Sequence, residues 1–176
     1  MNYDKIIATA AQEMRASGIR KFFDIAAEMK DCISLGVGEP DFKTPWAVRD
    51  AGIRNLEMGQ TRYTSNSGMK ELRTEICKYL DRRFDLHYDP DSQVLVTVGG
   101  SEAIDIGIRA LVNPGDEVII PEPCYVCYDP ITHLTGGKVV SIPLQEKNQF
   151  RLTAEELKAA ITPRTKMLIL PFPCNP

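Results

Sequence analysis

The fold is decided by the stretch Val94-Leu95-Val96-Thr97-Val98-Gly99-Gly100-Ser101-Glu102-Ala103. Its apolar first half is typical of a buried strand, and the glycines that follow predict a sharp turn into a helix. The unpaired N–H groups and the positive end of such a helix favour an anion, and the Ser101 hydroxyl can add a donor. The stretch therefore indicates a phosphate cup, although the same pattern is as often only a tight connection.

Strands and helices alternate after this turn. Predicted strands cover residues 93–98, 117–120, 138–142 and 166–170. Predicted helices cover residues 101–111, 126–134 and 153–161, the last opened by a capping box from Thr153 to Glu156. Strands separated by helices predict an α/β fold with a largely parallel sheet whose faces are covered.

Before the turn, the hydrophobic pattern is helical rather than alternating. Predicted helices cover residues 6–16, 19–29, 46–58 and 69–84. Polar loops rich in glycine and proline separate these segments, and the chain carries neither an internal repeat nor a low-complexity tract. The first ninety residues are therefore expected to be mainly helical.

Composition excludes several classes of function. The chain has 176 residues, 43% of them hydrophobic, and a net charge of −3, so no basic surface suggests nucleic acid or an anionic membrane. No apolar run approaches the roughly 20 residues of a membrane-spanning helix. The N-terminus lacks the pattern of a signal peptide, and five cysteines without a leader favour reduced thiols in the cytoplasm.

The spacing Cys124-Tyr125-Val126-Cys127 is a CxxC pattern. A zinc site would need a second pair or a suitably spaced histidine, and a redox role would need a thioredoxin-like context. We therefore interpret these residues as buried or half-buried thiols and assign no metal ligand.

Four further motifs accompany the turn, in a fixed order along the chain. They are Ser17-Gly18-Ile19-Arg20-Lys21-Phe22-Phe23, Leu35-Gly36-Val37-Gly38-Glu39-Pro40-Asp41-Phe42, Arg62-Tyr63-Thr64 with Gly68 and Glu71-Leu72-Arg73, and Pro173-Cys174-Asn175-Pro176. Together with the turn, they resemble the N-terminal half of the class I/II aminotransferases, pyridoxal 5'-phosphate (PLP) enzymes of fold type I. The resemblance covers all 176 residues.

The resemblance implies the three-layer, largely parallel sheet of the PLP-dependent transferase large domain, here incomplete. Residues 1–45 would form the N-terminal arm and part of the small domain. Residues 46–176 would form the first half of the PLP-binding large domain, truncated. Because the family's sheet interleaves strands from both halves, we expect open edges and self-association.

The resemblance also implies a set of cofactor-binding residues. Gly100, Ser101 and Glu102 match the phosphate-binding turn, with Glu102 contributing its backbone N–H while its carboxylate points away. Tyr125 matches the aromatic residue that stacks on the pyridine ring. Asn175 matches the asparagine that donates a hydrogen bond to the cofactor's phenolic oxygen.

Two more positions concern the substrate and a second subunit. Gly38 matches the glycine whose backbone meets the substrate α-carboxylate, where a side chain would fill the space. Tyr63 matches the tyrosine that crosses a dimer interface to the cofactor phosphate, so a homodimer is implied. No catalytic residue is assigned, because the family's Schiff-base lysine, pyridinium-binding aspartate and carboxylate-binding arginine match no position here.

The implied activity moves an amino group between an amino acid, of aspartate or aromatic type, and a 2-oxo acid. The chain alone is expected to be inactive, since no matched lysine is present. Alternatives are a C–S β-lyase or another fold type I PLP enzyme, and a non-catalytic truncated product that acts by association. A nucleotide-binding protein is less favoured, because the turn is neither GxGxxG nor a Walker A loop.

Overall fold

A computed structural model describes residues 5–14, 19–31, 33 and 42–174. The chain divides into two compact units, one formed by Gly38–Ala103 and the other by Met1–Val37 together with Ile104–Pro176. Among the described helices, none has the length and apolar character needed to cross a bilayer. The division between residues 1–45 and 46–176 stays a prediction.

Apart from the strand predicted at residues 93–98, the elements follow one another as the hydrophobic pattern predicts, with small shifts at their ends. In chain order they are α1 (Thr9–Glu13), α2 (Ile19–Glu28), α3 (Trp46–Glu57), α4 (Lys70–Phe84), α5 (Gly100–Leu111), β1 (Glu117–Glu122), α6 (Tyr128–Leu134), β2 (Lys138–Pro143), a 3-10 turn (Glu146–Asn148), α7 (Ala154–Ala160) and β3 (Thr165–Leu168). The first helix is shorter than predicted and α6 begins two residues later. The alternation of strands and helices is confirmed.

The three strands form a parallel sheet in the order β2-β1-β3. Glu117 pairs with Lys138 on one side of β1, and Ile119 pairs with Leu168 on the other. The central strand is buried from its first residue to Pro121, which is the continuous burial that a sheet covered on both faces requires. The predicted parallel α/β fold is therefore confirmed over three strands.

In the unit that contains the sheet, the hydrophobic core lies between α5 and the sheet. Four fully enclosed side chains form its centre: Ile108, Val112, Val118 and Ile120. Burial of an aliphatic side chain of this size contributes about 1.5–3 kcal/mol. The one-sided apolar pattern of α5 thus fixes the helix against β1.

The unit formed by Gly38–Ala103 contains α3, α4 and the first residues of α5. Helix α4 buries Arg73 and Cys77, whereas α3 buries none of its residues. The Arg73 guanidinium donates hydrogen bonds to the carbonyl oxygens of Gly68 and Pro90. It thereby ties two loops to α4.

The strand predicted at residues 93–98 is wrong in this structure. The segment preceding the glycine turn is extended, but no described strand pairs with it along its length. Within the described part of the chain, its one backbone hydrogen bond to a distant segment joins the N–H of Val96 to the carbonyl of Ser67 at 3.1 Å. Strand formation depends on a neighbouring strand, which an apolar run cannot supply by itself.

Candidate functional site

The glycine turn lies at the start of α5. Gly99 has a φ of +89°, a left-handed conformation that glycine adopts without steric cost, and α5 begins at the next residue. Apart from its chain neighbours and its own helix backbone, a Cβ atom built on Gly99 or on Gly100 would meet no atom of the described residues within 4 Å. The turn is therefore open, and a ligand can approach its backbone closely.

The three residues predicted to bind a phosphate are consecutive in the first turn of α5. Gly100, Ser101 and Glu102 are all exposed. The first N–H groups of a helix lack intrahelical acceptors, and the helix dipole adds partial positive charge at the same place. This turn has the donors and the field that a phosphate ester requires.

The carboxylate of Glu102 is turned back along the chain. It accepts a hydrogen bond from the backbone N–H of Val98, four residues earlier. The hydroxyl of Thr97 donates to the carbonyl of Gly99 at 2.9 Å, so side chains brace the turn on both sides of the glycines. Whether Glu102 acts through its own N–H group on a phosphate stays a prediction.

Tyr125 follows the carboxyl end of β1, the edge of a parallel sheet where ligands commonly bind. The residue is half-buried and meets Tyr128 edge to face, with ring centroids 5.9 Å apart and planes at 85°. Burial raises the pKa of the Tyr128 hydroxyl, so that ring stays neutral at physiological pH. The edge-to-face contact fixes the orientation of the Tyr125 ring.

An apolar cavity of about 360 Å³ lies at the same edge of the sheet. Its lining residues are Pro121, Pro123, Cys124, Leu144, Phe150, Pro171, Phe172 and Cys174. Burial raises the pKa of the Cys124 thiol to about 11, and the charge of Glu122 adds to the effect. The prediction that Cys124 and Cys127 are buried or half-buried thiols is confirmed, since both are half-buried. The cavity was not predicted, because its walls come from segments far apart in the chain.

The remaining predicted site residues are Tyr63, Gly38 and Asn175, and the structure describes only the first of them. Tyr63 lies in an irregular loop of the Gly38–Ala103 unit and is fully exposed. Gly38 and Asn175 lie outside the described residues. The structure thus describes Gly100, Ser101, Glu102 and Tyr63 in one unit and Tyr125 in the other, and the assigned roles stay predictions.

One cluster of possible metal ligands was not predicted. His87 Nδ1 lies 2.6 Å from Asp81 Oδ1, and His87 Nε2 lies 3.5 Å from Asp85 Oδ1, on an exposed surface near the end of α4. The imidazole nitrogens face the carboxylates directly, so direct polar contacts account for the arrangement. No resident metal is assigned to it.

Fold and turn together define an α/β protein in which an open glycine turn leads into helix α5. The family described as "Aminotransferase class I and II" matches residues 30–176. The chain belongs to this family, as the motifs indicated.

Two curated relatives cover most of the chain. It is 54% identical over 165 residues to a putative aminotransferase, YugH, of Bacillus subtilis, a match that covers 94% of this chain and 43% of that protein. It is 47% identical over 160 residues to an aspartate aminotransferase of Pyrococcus abyssi, covering 91% of this chain and 41% of the relative. The chain thus spans less than half the length of the curated relatives it matches.

A solved structure supports the same assignment. The aspartate aminotransferase of Thermus thermophilus with maleate superposes with a TM-score of 0.90 at 35% identity. The superposition covers 97% of this chain and 45% of that structure. Most of the chain therefore shares its fold with part of an aminotransferase.

The family implies pyridoxal 5'-phosphate, and the residues present are chemically suited to it. The start of α5 offers N–H donors, a serine hydroxyl and open backbone to a phosphate. Tyr125 offers a flat aromatic ring held by its contact with Tyr128. These two features fit the phosphate and the ring of the cofactor, respectively.

Proposed function

We propose that this chain is the N-terminal part of a PLP-dependent aminotransferase that moves an amino group between an amino acid and a 2-oxo acid. The observation that carries the proposal is the family match over residues 30–176, which includes the open turn at Gly99 and Gly100. When bound, the cofactor supplies the electron sink that amino-group transfer needs. The protein supplies binding, orientation and the electrostatic environment.

The start of α5 is proposed to hold the cofactor phosphate. The backbone N–H groups of Gly100, Ser101 and Glu102 would donate to phosphate oxygens, and the Ser101 hydroxyl would add a further donor. The support is the exposure of all three residues and the open space that the described residues leave at the Cβ positions of Gly99 and Gly100. A side chain at either glycine would occupy space that the phosphate needs.

Tyr125 is proposed to stack on the pyridine ring of the cofactor. Stacking requires a flat face at a fixed orientation, and the contact with Tyr128 supplies the fixed orientation. The family resemblance adds Asn175 as a donor to the phenolic oxygen. It also adds Gly38, whose backbone would meet the substrate carboxylate.

The working protein is proposed to be a homodimer located in the cytoplasm. Tyr63 is fully exposed, and α3 leaves Trp46 and Leu56 62% and 68% exposed, respectively. Helix α3 buries none of its residues, and large apolar side chains exposed on such a helix are typical of a face that another surface covers.

The proposed cytoplasmic location rests on the cysteines. Among the described cysteines no disulfide is present, which suits a reducing compartment.

The oligomeric state can be tested directly by sedimentation. We expect the complete gene product to sediment as a dimer, and a Leu56→Glu variant to dissociate because a carboxylate would be buried against an apolar surface. Leu86→Glu is the matched control, since Leu86 is an exposed leucine beyond α4. A monomeric wild-type protein at high concentration would exclude the dimer.

The substrate is proposed to be an amino acid of aspartate or aromatic type. The name of the Pyrococcus abyssi relative supports aspartate. A C–S β-lyase shares the motifs of this half, but no observation on the described residues favours it. The substrate-specific residues are proposed to lie outside this chain.

The activity test uses the complete product of the gene with PLP and 2-oxoglutarate. Formation of glutamate from 2-oxoglutarate with aspartate or tyrosine as the amino donor supports an aminotransferase. The better donor shows whether the enzyme is of aspartate or aromatic type. Release of pyruvate, ammonia and thiol from an S-substituted cysteine, without glutamate, identifies a lyase instead. A Tyr125→Ala variant should lose activity and Tyr88→Ala should not, while the 176-residue chain alone is expected to remain inactive.

A further inference from the structure

Two cysteines far apart in the sequence line one cavity at the carboxyl edge of the sheet. Cys124 follows β1 and Cys174 follows β3, and both contribute to the wall of the apolar cavity. The Cys174 Sγ lies 3.6 Å from the carbonyl oxygen of Pro123, the residue directly before Cys124. The thiol of Cys174 is therefore close to the backbone that carries the other thiol.

The strand register explains this proximity. Strands β1 and β3 are parallel neighbours, with Ile119 opposite Leu168. Because the strands are parallel, the segments that follow β1 and β3 both leave the sheet at the same edge. The two cysteines lie on these segments, which come close enough for the Cys174 Sγ to contact the Pro123 carbonyl oxygen.

The electrostatics of the thiols agree with this geometry. The charges of Glu122 and Cys174 both add to the elevated pKa of the Cys124 thiol, which burial causes in the first place. Cys124 is therefore protonated at neutral pH and reacts slowly with peroxide itself. The first oxidation is accordingly assigned to Cys174.

We propose that Cys124 and Cys174 form a reversible disulfide under hydrogen peroxide and that this cross-link restrains the loop that carries Tyr125, which weakens cofactor binding. Peroxide converts the Cys174 thiol to a sulfenic acid and releases one water. The Cys124 sulfur then attacks the sulfenic sulfur, an S–S bond forms, and a second water leaves. The two thiols lose two electrons, which peroxide accepts, and a dithiol reductant reverses the change.

The regulatory consequence rests on the proposed function. Cys124 directly precedes Tyr125. A bond between Cys124 and Cys174 would restrain Tyr125, which is proposed to stack on the cofactor ring. It would also draw together the two loops that wall the cavity.

The disulfide is tested first on the 176-residue chain, without cofactor. The chain is treated with hydrogen peroxide, alkylated, and cleaved on the carboxyl side of Tyr125, which separates Cys124 from Cys127. We expect a peptide pair joined through Cys124 and Cys174 that a dithiol reductant releases. Cys124→Ser and Cys174→Ser should each abolish the pair, whereas Cys77→Ser, at a buried thiol in the other unit, should retain it.

Cross-linking of Cys124 to Cys127, or failure of the two cysteines to cross-link, would overturn the proposal. The regulatory part is tested on the complete gene product by PLP titration. Peroxide should weaken binding at least tenfold in the wild type and leave the Cys174→Ser variant unchanged. A cross-linked protein with unchanged affinity would overturn the regulation, whereas a reduced protein that never binds PLP would overturn the proposed function instead.

Discussion

A Cβ atom added to Gly68 would lie 2.7 Å from the Cβ of Val96. Gly68 has a φ of +91°, so the loop before α4 passes this close only because the residue has no side chain. The neighbouring Ser67 carbonyl accepts a hydrogen bond from the Val96 N–H. This contact holds the extended segment that leads directly into the proposed phosphate turn.

Replacement of Gly68 by alanine should destabilise the Gly38–Ala103 unit. The variant combines an unfavourable positive φ with a clash against Val96, and together they should cost about 3 kcal/mol or more. Gly59→Ala is the matched control, since Gly59 has a φ of +66° and its Cβ position is open. Urea unfolding should show a loss of about 1 kcal/mol for the control, and equal losses in both variants would contradict the close packing.

Glu117 supports a pH-dependent contact at the start of the sheet. Its side chain is only 3% exposed and accepts hydrogen bonds from the Thr162 hydroxyl at 2.6 Å and from Arg164 Nη2 at 2.9 Å. The Thr162 hydrogen bond, followed by Arg164 and Lys138, lowers the pKa of Glu117 below its usual value of 4.5, against the opposing effect of burial. The carboxylate therefore stabilises the fold above the unfolded pKa.

Stability from this carboxylate should disappear as the pH falls through the lowered pKa of the folded state. At pH 7, Glu117→Gln should lower the thermal midpoint, because Arg164 loses its charged partner. The difference from wild type should shrink below pH 4.5, where the unfolded chain already binds the proton. Glu75→Gln is the control: it removes an exposed ion pair with Lys78 and should change the thermal midpoint little. A Glu117→Gln effect that stays constant between pH 7 and pH values below 4.5 would contradict the role given to the Glu117 carboxylate.

If Glu102 contacts the phosphate only through its backbone N–H, removal of its side-chain charge should not weaken PLP binding. Glu102→Gln retains an acceptor for the Val98 N–H but removes a negative charge beside the phosphate. Titration of the complete gene product should therefore show PLP affinity that is unchanged or about threefold higher. Glu155→Gln, in the first turn of α7, is the matched control and should have no effect. A large loss of affinity for Glu102→Gln would mean that the carboxylate itself contributes to binding.

Local signals predicted most of the elements. The helices expected at residues 46–58 and 69–84 are observed within one residue as α3 and α4, and the capping box of Thr153 and Glu156 is present with both of its hydrogen bonds. A helix and its cap depend on residues within about four positions of one another. The local sequence pattern therefore contains the information that predicts them. The extended segment at residues 93–98 differs because strand identity depends on a pairing partner elsewhere.

The site could be predicted only as far as its local chemistry. The glycines and Ser101 suggest an anion turn because a helix start is a local feature. The contact between Gly68 and Val96, and the shared cavity of Cys124 and Cys174, join distant segments and could not be derived from spacing. Roles assigned by resemblance to Gly38, Tyr63 and Asn175 stay predictions.

The central claim, that the start of α5 binds the cofactor phosphate, is tested most directly by comparing PLP with unphosphorylated pyridoxal. Both affinities are measured on the complete gene product, in the wild type, in Ser101→Ala and in the exposed-serine control Ser141→Ala. Ser101→Ala should weaken PLP binding about tenfold, the value of a hydrogen bond to a charged group, while leaving pyridoxal binding unchanged. Equal losses for both ligands, or no loss for either, would contradict the claim.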